Sequence, residues 1–220
     1  MLGLRFLDFL MSKIYDGSLD SEHLADLRRS GLIAETIQRQ RIRTVPPDMF
    51  ERLLGYVAPR AVRSMMLIPY FDAAGGLMPH IRVKVFPPIT DGADGHTIKY
   101  LQPRGSAIRV FFPIATLTQV LEGDGALLLV EGEKKALAVA QRGLPVVGIA
   151  GIEAWHARGA RSLLPDFQPI RLMGRVVEIV PDSDFRTNRN VEQAVSGLAT
   201  ALAVRGARAR VVLLPDVVPA

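Results

Sequence analysis

The chain has no cysteine among its 220 residues. That absence excludes disulfide frameworks, zinc ribbons, iron–sulfur sites and thiol nucleophiles. Histidine is scarce as well: the four, at positions 23, 80, 96 and 156, contain no i, i+3 or i, i+4 pair. A metal site here must therefore be built from carboxylates, and all-oxygen sites favour Mg²⁺ or Mn²⁺. Long apolar runs are lacking too. Stretches such as Ala126–Val130 and Val211–Leu214 fall far short of the ~20 residues a helix needs to cross a bilayer, so no membrane partner is expected. The apolar opening Met1–Ile14 is interrupted by Arg5, Asp8 and Lys13 and meets no small-residue cleavage site, unlike a signal peptide. Leu2, Phe6, Phe9 and Leu10 instead recur at helical spacing and predict an amphipathic helix.

Lysine is the remaining shortage: 5 Lys stand against 22 Arg, and with 22 acids the net charge is +5. Arginine's planar fork suits bidentate phosphate contacts, so a nucleic-acid partner fits, although an arginine-rich genome produces the same balance. With 49% apolar and 22% charged residues the chain is an ordinary globular one. Its length is that of one large domain or two small ones.

Three regions follow from the pattern. Residues 1–62 form an N-terminal helical segment, in which Leu24, Leu27, Leu32, Ile37, Ile42 and Met49 come at helical intervals broken by Ser30-Gly31 and Val45-Pro46-Pro47. Asp20 or Ser21 is placed to cap its first helix. Residues 63–122 form a small basic antiparallel β subdomain: a hairpin from Met65–Phe71 and Ile81–Phe86, then strands at Thr97–Leu101 and Arg109–Phe112. In residues 123–220 apolar strands at Ala126–Val130, Val146–Ile149, Arg175–Val180 and Arg210–Leu214 alternate with helices at Lys134–Arg142 and Val191–Arg205. That alternation predicts an α/β fold with a parallel sheet flanked by helices.

Ligands bind such sheets beyond the carboxyl ends of the strands, and the acids stand there. Val130 is followed by Glu131-Gly132, and Val180 by Pro181-Asp182-Ser183-Asp184. If the chain stays extended, Asp182 and Asp184 point to the same side and can share one divalent cation. Glu131 arrives from a second strand, and Gly132 lets the backbone turn into the helix. A metal neutralising phosphate oxygens with a separate carboxylate to move a proton is an arrangement for chemistry at phosphorus. The bland alternative is that paired aspartates after a strand only cap a helix.

Leu127-Leu-Leu-Val-Glu-Gly-Glu-Lys-Lys-Ala136 followed by Val177-Glu-Ile-Val-Pro-Asp-Ser-Asp184 resembles the TOPRIM domain, the metal-binding fold shared by DnaG-type primases, topoisomerases and certain nucleases. The Glu-Gly-Glu-Lys-Lys-Ala form is most similar to an uncharacterised TOPRIM-like family in replication proteins of phages, plasmids and integrated elements. Upstream, Ile68-Pro-Tyr-Phe-Asp72 with Gly75-Gly76, Arg82-Val-Lys84 and Lys99-Tyr-Leu-Gln-Pro103 resemble the basic stretch ahead of TOPRIM in primases, and Asp26-Leu-Arg-Arg-Ser-Gly-Leu32 resembles the opening of the uncharacterised family. The resemblance covers roughly residues 22 to 215. It implies Glu131 as general acid/base, Asp182 and Asp184 as ligands of Mg²⁺ or Mn²⁺, and a cytoplasmic primase-like enzyme. Single-stranded DNA or RNA, nucleoside triphosphates and a replicative helicase are the partners it implies. One departure concerns Lys135, which stands where bacterial primases commonly carry an acid and weakens any second metal position.

The basic candidates have two readings each. Lys134 and Lys135 open a helix, where cations face the positive end of its dipole; they either contact phosphate or are solvated. Arg82, Lys84, Lys99 and Arg104 with Tyr100 either bind a single strand by charge and stacking or form a solvated sheet face. Arg186, following the Asp-Ser-Asp loop, either touches a metal-held phosphate or serves the surface. His156 beside Trp155 is read as a packed or surface histidine rather than a ligand. Primer synthesis, a TOPRIM nuclease using the same acids on water, and a catalytically silent nucleic-acid-binding module recruiting a helicase or polymerase are the three functions carried forward.

Overall fold

A computed structural model describes residues 19–57, 59–90 and 97–214, without the side chains of Ser183 and Asp184. The predicted helix over Leu2–Ile14 lies outside the described residues. Two compact units make up the chain: one runs up to Asp72 and takes in Gly76–Ser106, the other joins Ala73–Gly75 to the chain from Ala107 onward.

In the first unit four antiparallel strands, β1 (Arg43–Val45), β2 (Ser64–Phe71), β3 (Leu77–Thr90) and β4 (Thr97–Leu101), lie in sequence order. The hairpin and the β4 strand stand as the alternation predicts, with Leu67 opposite Val83 and Lys84 opposite Tyr100. Side chains alternate between faces along a strand. On one face Val45, Met65, Leu67, Val83 and Val85 pack with Phe50, Leu53 and Leu54, the last three from the short helix α3 (Phe50–Leu54). The other face carries Thr44, Met66 and Lys84 in one cross-strand row and is met by α1 (Ser21–Arg29) through its His23 and Asp26.

The expected helical segment is interrupted by strand. After α1 and α2 (Ala34–Arg39) the chain enters β1, because Arg43, Thr44 and Val45 pair with β2 across Leu67, Met66 and Met65. A three-residue strand is too short to show alternation in the sequence, and tertiary pairing decides it. Neither capping candidate acts as predicted: α1 has no side-chain cap, and the Asp20 backbone N–H donates to Thr44 Oγ1 at 2.8 Å.

In the second unit β5 (Leu127–Glu131), β6 (Val146–Ile149), β7 (Val176–Val180) and β8 (Arg208–Val211) form a four-stranded parallel sheet in the order β6-β5-β7-β8. Helix α6 (Arg189–Val204) buries Val191, Ala194, Val195, Leu198, Ala201 and Leu202, spaced for one helical face, against Leu127, Leu129, Val147, Ile149, Val177 and Ile179. Helix α5 (Glu133–Ala140) covers the opposite face and buries Ala136, Leu137 and Ala140. Gly148 makes that approach possible: a Cβ there would lie 3.1 Å from Ala136 Cβ and 3.3 Å from the Gly132 carbonyl oxygen.

The strand expected at Arg109–Phe112 is absent. Phe111 makes a single antiparallel bridge, exchanging N–H···O bonds of 2.8 and 2.9 Å with Gly148, so this segment borders β6 in the second unit and is no part of the antiparallel sheet. Arg109 instead grips Asp166 through two guanidinium nitrogens, and the Val110 N–H donates to the same carboxylate at 2.9 Å. Buried Arg175 does similar structural work. Its guanidinium donates to the carbonyls of Gln119, Val120 and Gly125 at 2.7, 2.5 and 2.8 Å, closing the C-terminal end of α4 (Leu117–Glu122).

Candidate functional site

Strands β5 and β7 are direct neighbours, with Val130 opposite Val180, so the residues just beyond them meet at one edge of the parallel sheet. Glu131 closes β5. Gly132 then takes φ +84°, a left-handed value that a side chain would strain, and donates its N–H to the Ile149 carbonyl at 2.7 Å before α5 begins. On the β7 side, the backbone N–H of Asp182 donates to Glu131 Oε1 at 3.0 Å. This bond joins the two acidic motifs predicted to meet: one carboxylate is held by the amide of the residue that carries the other.

After Asp182 the chain does not stay extended. Ser183–Arg186 forms a 3₁₀ turn in which the Phe185 N–H reaches the Asp182 carbonyl at 3.1 Å. The i, i+2 argument for a common side, which needs an extended backbone, therefore does not apply, and the Asp184 side chain lies outside what the structure describes. Arg186 ends that turn and is exposed. Two residues on, Asn188 caps α6 by accepting the Asn190 N–H at 3.1 Å.

Lys135 extends from the first turn of α5, and its Nζ donates to Asp182 Oδ1. The side chains are 57% and 44% exposed, so this is an ion pair in contact with solvent. Lys134 is half-buried. The cation beside Asp182 was the feature that composition and motif spacing did not reveal. Its only sequence signal is a lysine one helical turn after a strand-end glutamate, and helix geometry alone does not say which neighbouring acid it meets.

Glu131 and Asp182 offer hard oxygen donors, the chemistry that suits Mg²⁺ or Mn²⁺. Among the described residues no three His, Asp or Glu side chains gather as a metal-binding group. Asp182 is one of the two predicted metal ligands and Glu131 the predicted general acid/base, while the second predicted ligand, Asp184, has no described side chain.

The basic candidates of the antiparallel unit are not one surface. Lys84 Nζ donates to Asp26 Oδ1 at 2.6 Å with both side chains nearly buried, 12% and 9% exposed, so it ties β3 to α1 and is not open to a solvated phosphate. Arg82 stacks its guanidinium over the Tyr100 ring at 4.9 Å. Lys99 is exposed but, being adjacent to Tyr100 on β4, belongs to the opposite face of that strand. Arg104 is exposed beyond the strand, its backbone N–H donating to the Leu54 carbonyl at 2.7 Å.

Next to Lys84, His23 is fully buried, with Nδ1 2.7 Å from Thr44 Oγ1 and Nε2 3.0 Å from Ser64 Oγ. Burial holds its pKa below the usual histidine value, against the opposing pull of Asp20, Glu22 and Asp26. His156 packs as expected, its ring 4.2 Å from that of Trp155.

Comparison with solved structures finds the same architecture in primases. The DnaG catalytic core matches 98% of this chain and 72% of its own length at 21% identity and a TM-score of 0.60. The zinc-binding and RNA polymerase domains of the Aquifex aeolicus primase match at 15% identity and a TM-score of 0.60 over 90% of this chain, which spans 51% of that structure. The RNA polymerase domain of Mycobacterium tuberculosis primase DnaG, solved with a double-stranded DNA oligomer bearing a 6-nucleotide overhang, matches 92% of this chain at 15% identity and a TM-score of 0.55. Residues 118–217 match a domain of unknown function, DUF3854. A search of curated proteins finds no match. The chain therefore has the mixed α/β fold of the DnaG core, and no described helix is long and apolar enough to cross a membrane.

Proposed function

We propose that this chain is a TOPRIM-type nucleotidyltransferase that makes primers during replication of a mobile genetic element, working in the cytoplasm on a single-stranded template. One observation carries the reading: Glu131 at the end of β5 and Asp182 just past its neighbour β7 are joined through the Asp182 N–H, on a chain with the fold of the DnaG core. Asp182 and Asp184 would hold Mg²⁺ or Mn²⁺, which when bound supplies charge neutralisation at phosphate oxygens. Glu131, fixed by its bond to the Asp182 amide, takes the proton of the attacking 3′-hydroxyl. The new P–O bond forms at the α-phosphorus of a nucleoside triphosphate, and pyrophosphate leaves. Lys134 and Arg186 are the cations proposed to meet the phosphates; Arg82, Tyr100, Lys99 and Arg104 are proposed contacts to the strand. A replicative helicase is a proposed partner.

The Lys135–Asp182 pair favours a second reading, a silent nucleic-acid-binding module whose acids are neutralised internally. Template-dependent nucleotide incorporation and nicking, both measured across a Mg²⁺ titration on one preparation, separate the readings. Incorporation supports the primase and nicking a nuclease. Strand binding with neither activity at any Mg²⁺ concentration supports the silent module.

A further inference from the structure

The Lys135 ammonium already occupies one oxygen of the carboxylate at the end of β7. Its position in the first turn of α5 is electrostatically unfavourable, since the helix dipole is positive there, and the Asp182 anion compensates it. Because the pair is 57% and 44% exposed, solvent screens it, and it is weak enough to exchange. A divalent cation bound by the same carboxylate stands close to that ammonium, and the repulsion between the two like charges favours a move of the ammonium to another anion.

We propose that Lys135 couples metal binding to phosphate binding: it holds Asp182 in the resting site and releases it when a phosphate group takes up the ammonium. Resting on the metal reading of Asp182 given above, the exchange makes the site poor at binding free metal and better at binding metal together with a phosphate-bearing ligand. No covalent step is involved. By linkage, whatever the phosphate adds to metal affinity, the metal adds to phosphate affinity.

Mn²⁺ binding followed by electron paramagnetic resonance tests this without recourse to activity, using the full chain, Lys135→Met, Lys135→Arg and Lys135→Met/Asp182→Asn, each checked for folding by circular dichroism. Lys135→Met is expected to bind Mn²⁺ roughly tenfold more tightly, a mid-range value for coupled sites. Lys135→Arg, which keeps the charge, should match the unaltered chain, and the double variant should lose the gain. Inorganic phosphate, corrected by a protein-free blank, should tighten Mn²⁺ binding to the unaltered chain and not to Lys135→Met. Equal Mn²⁺ affinity with and without Lys135 overturns the coupling while leaving Asp182 as a metal ligand. Phosphate acting alike on both proteins overturns the exchange. No Mn²⁺ bound by any of the four overturns the metal reading and the coupling with it.

Discussion

In the parallel sheet Glu131 is the last residue of β5 and Asp182 stands two residues past the end of β7, and both keep part of their surface in water; in the antiparallel sheet Lys84 sits within β3, opposite Tyr100, and is covered by α1. Both sets of charges follow apolar runs or alternate with them in the sequence. Their different fates come from where along the strand they fall. A residue at or past the carboxyl end of a strand stands at the rim of the layers that cover the sheet, whereas one within the strand meets whatever element packs on that face. Charge in a β pattern therefore points to a ligand at a strand end, and mid-strand it points equally to an internal partner.

The comparison breaks most severely if the strand-end acids are structural. Glu131→Gln is expected to leave metal binding largely intact and to reduce nucleotide incorporation by ~10² to 10⁴, the usual size of general acid/base assistance. Asp182→Asn should abolish Mg²⁺ binding by calorimetry without unfolding the chain, since the Asp182 side chain is 44% exposed. Undiminished incorporation in the first variant, or unchanged heat in the second, would remove these residues from the active site.

Next comes the covered pair. Removing one partner of a buried ion pair leaves the other uncompensated and costs about 3–5 kcal/mol, so Lys84→Met and Asp26→Asn should each shift the urea midpoint strongly. Asp26→Leu/Lys84→Met should recover most of that loss. Lys99→Met, altering an exposed cation of the same sheet, should stay within about 0.5 kcal/mol. Equal, small effects at Lys84 and Lys99 would show that α1 does not seal this face.

How much was legible in the sequence divides along the same line. The parallel strands and their helices were readable because a buried parallel strand is a continuous apolar run, as in Leu127–Val130, and the acids after Val130 and Val180 marked their ends. The last strand begins two residues earlier than the strand expected at Arg210–Leu214, at Arg208, because pairing with Val176 sets its start. Less visible was what depends on contacts distant in sequence. β1 exists through pairing with β2, Arg109 turns to Asp166 rather than extending a sheet, and Lys84 finds Asp26 58 positions away. At the site, the extended-chain premise for Asp182 and Asp184 overlooked that Ser183–Arg186 makes a tight turn before α6. Spacing cannot show such a turn, because Asp and Ser after a strand suit an extended loop and a turn alike.

A smaller effect follows from pH. His23 has its pKa lowered in the folded chain by burial, so between the unfolded value of 6.5 and the lowered folded value the unfolded chain binds more protons. Stability from this group is present in full above that window and falls as pH drops through it, flattening once both states are protonated. Urea unfolding between neutral and mildly acidic pH should show this slope in the unaltered chain. His23→Gln, with no proton to take up, should lack it. An identical slope in the two proteins would assign the acid sensitivity elsewhere.

The smallest expected effects concern half-buried Arg82 and exposed Lys99 and Arg104 of the antiparallel unit, and they sharpen the comparison rather than break it. Arg82, Lys99 and Arg104 do not share one face, because Lys99 points away from the Tyr100 ring on which Arg82 stacks. β4 is an edge strand of its sheet, so a nucleic-acid strand touches both faces of β4 only by following that edge. If each cation neutralises one phosphate, each alanine substitution should reduce the slope of log affinity against log salt by roughly 0.7 on single strands. Lys84→Met is the control: its ammonium is already paired with Asp26, so the slope should not change. Tyr100→Leu should instead weaken binding by about 1–3 kcal/mol through lost stacking, with the salt slope intact. Fluorescence anisotropy with a single-stranded oligonucleotide at several salt concentrations reads all of these. A change confined to Arg82 would place the strand on the Tyr100 face alone, equal changes at Arg82 and Lys99 would place it along the edge, and an unaltered slope in the triple alanine variant would leave these arginines and lysine as solvated surface.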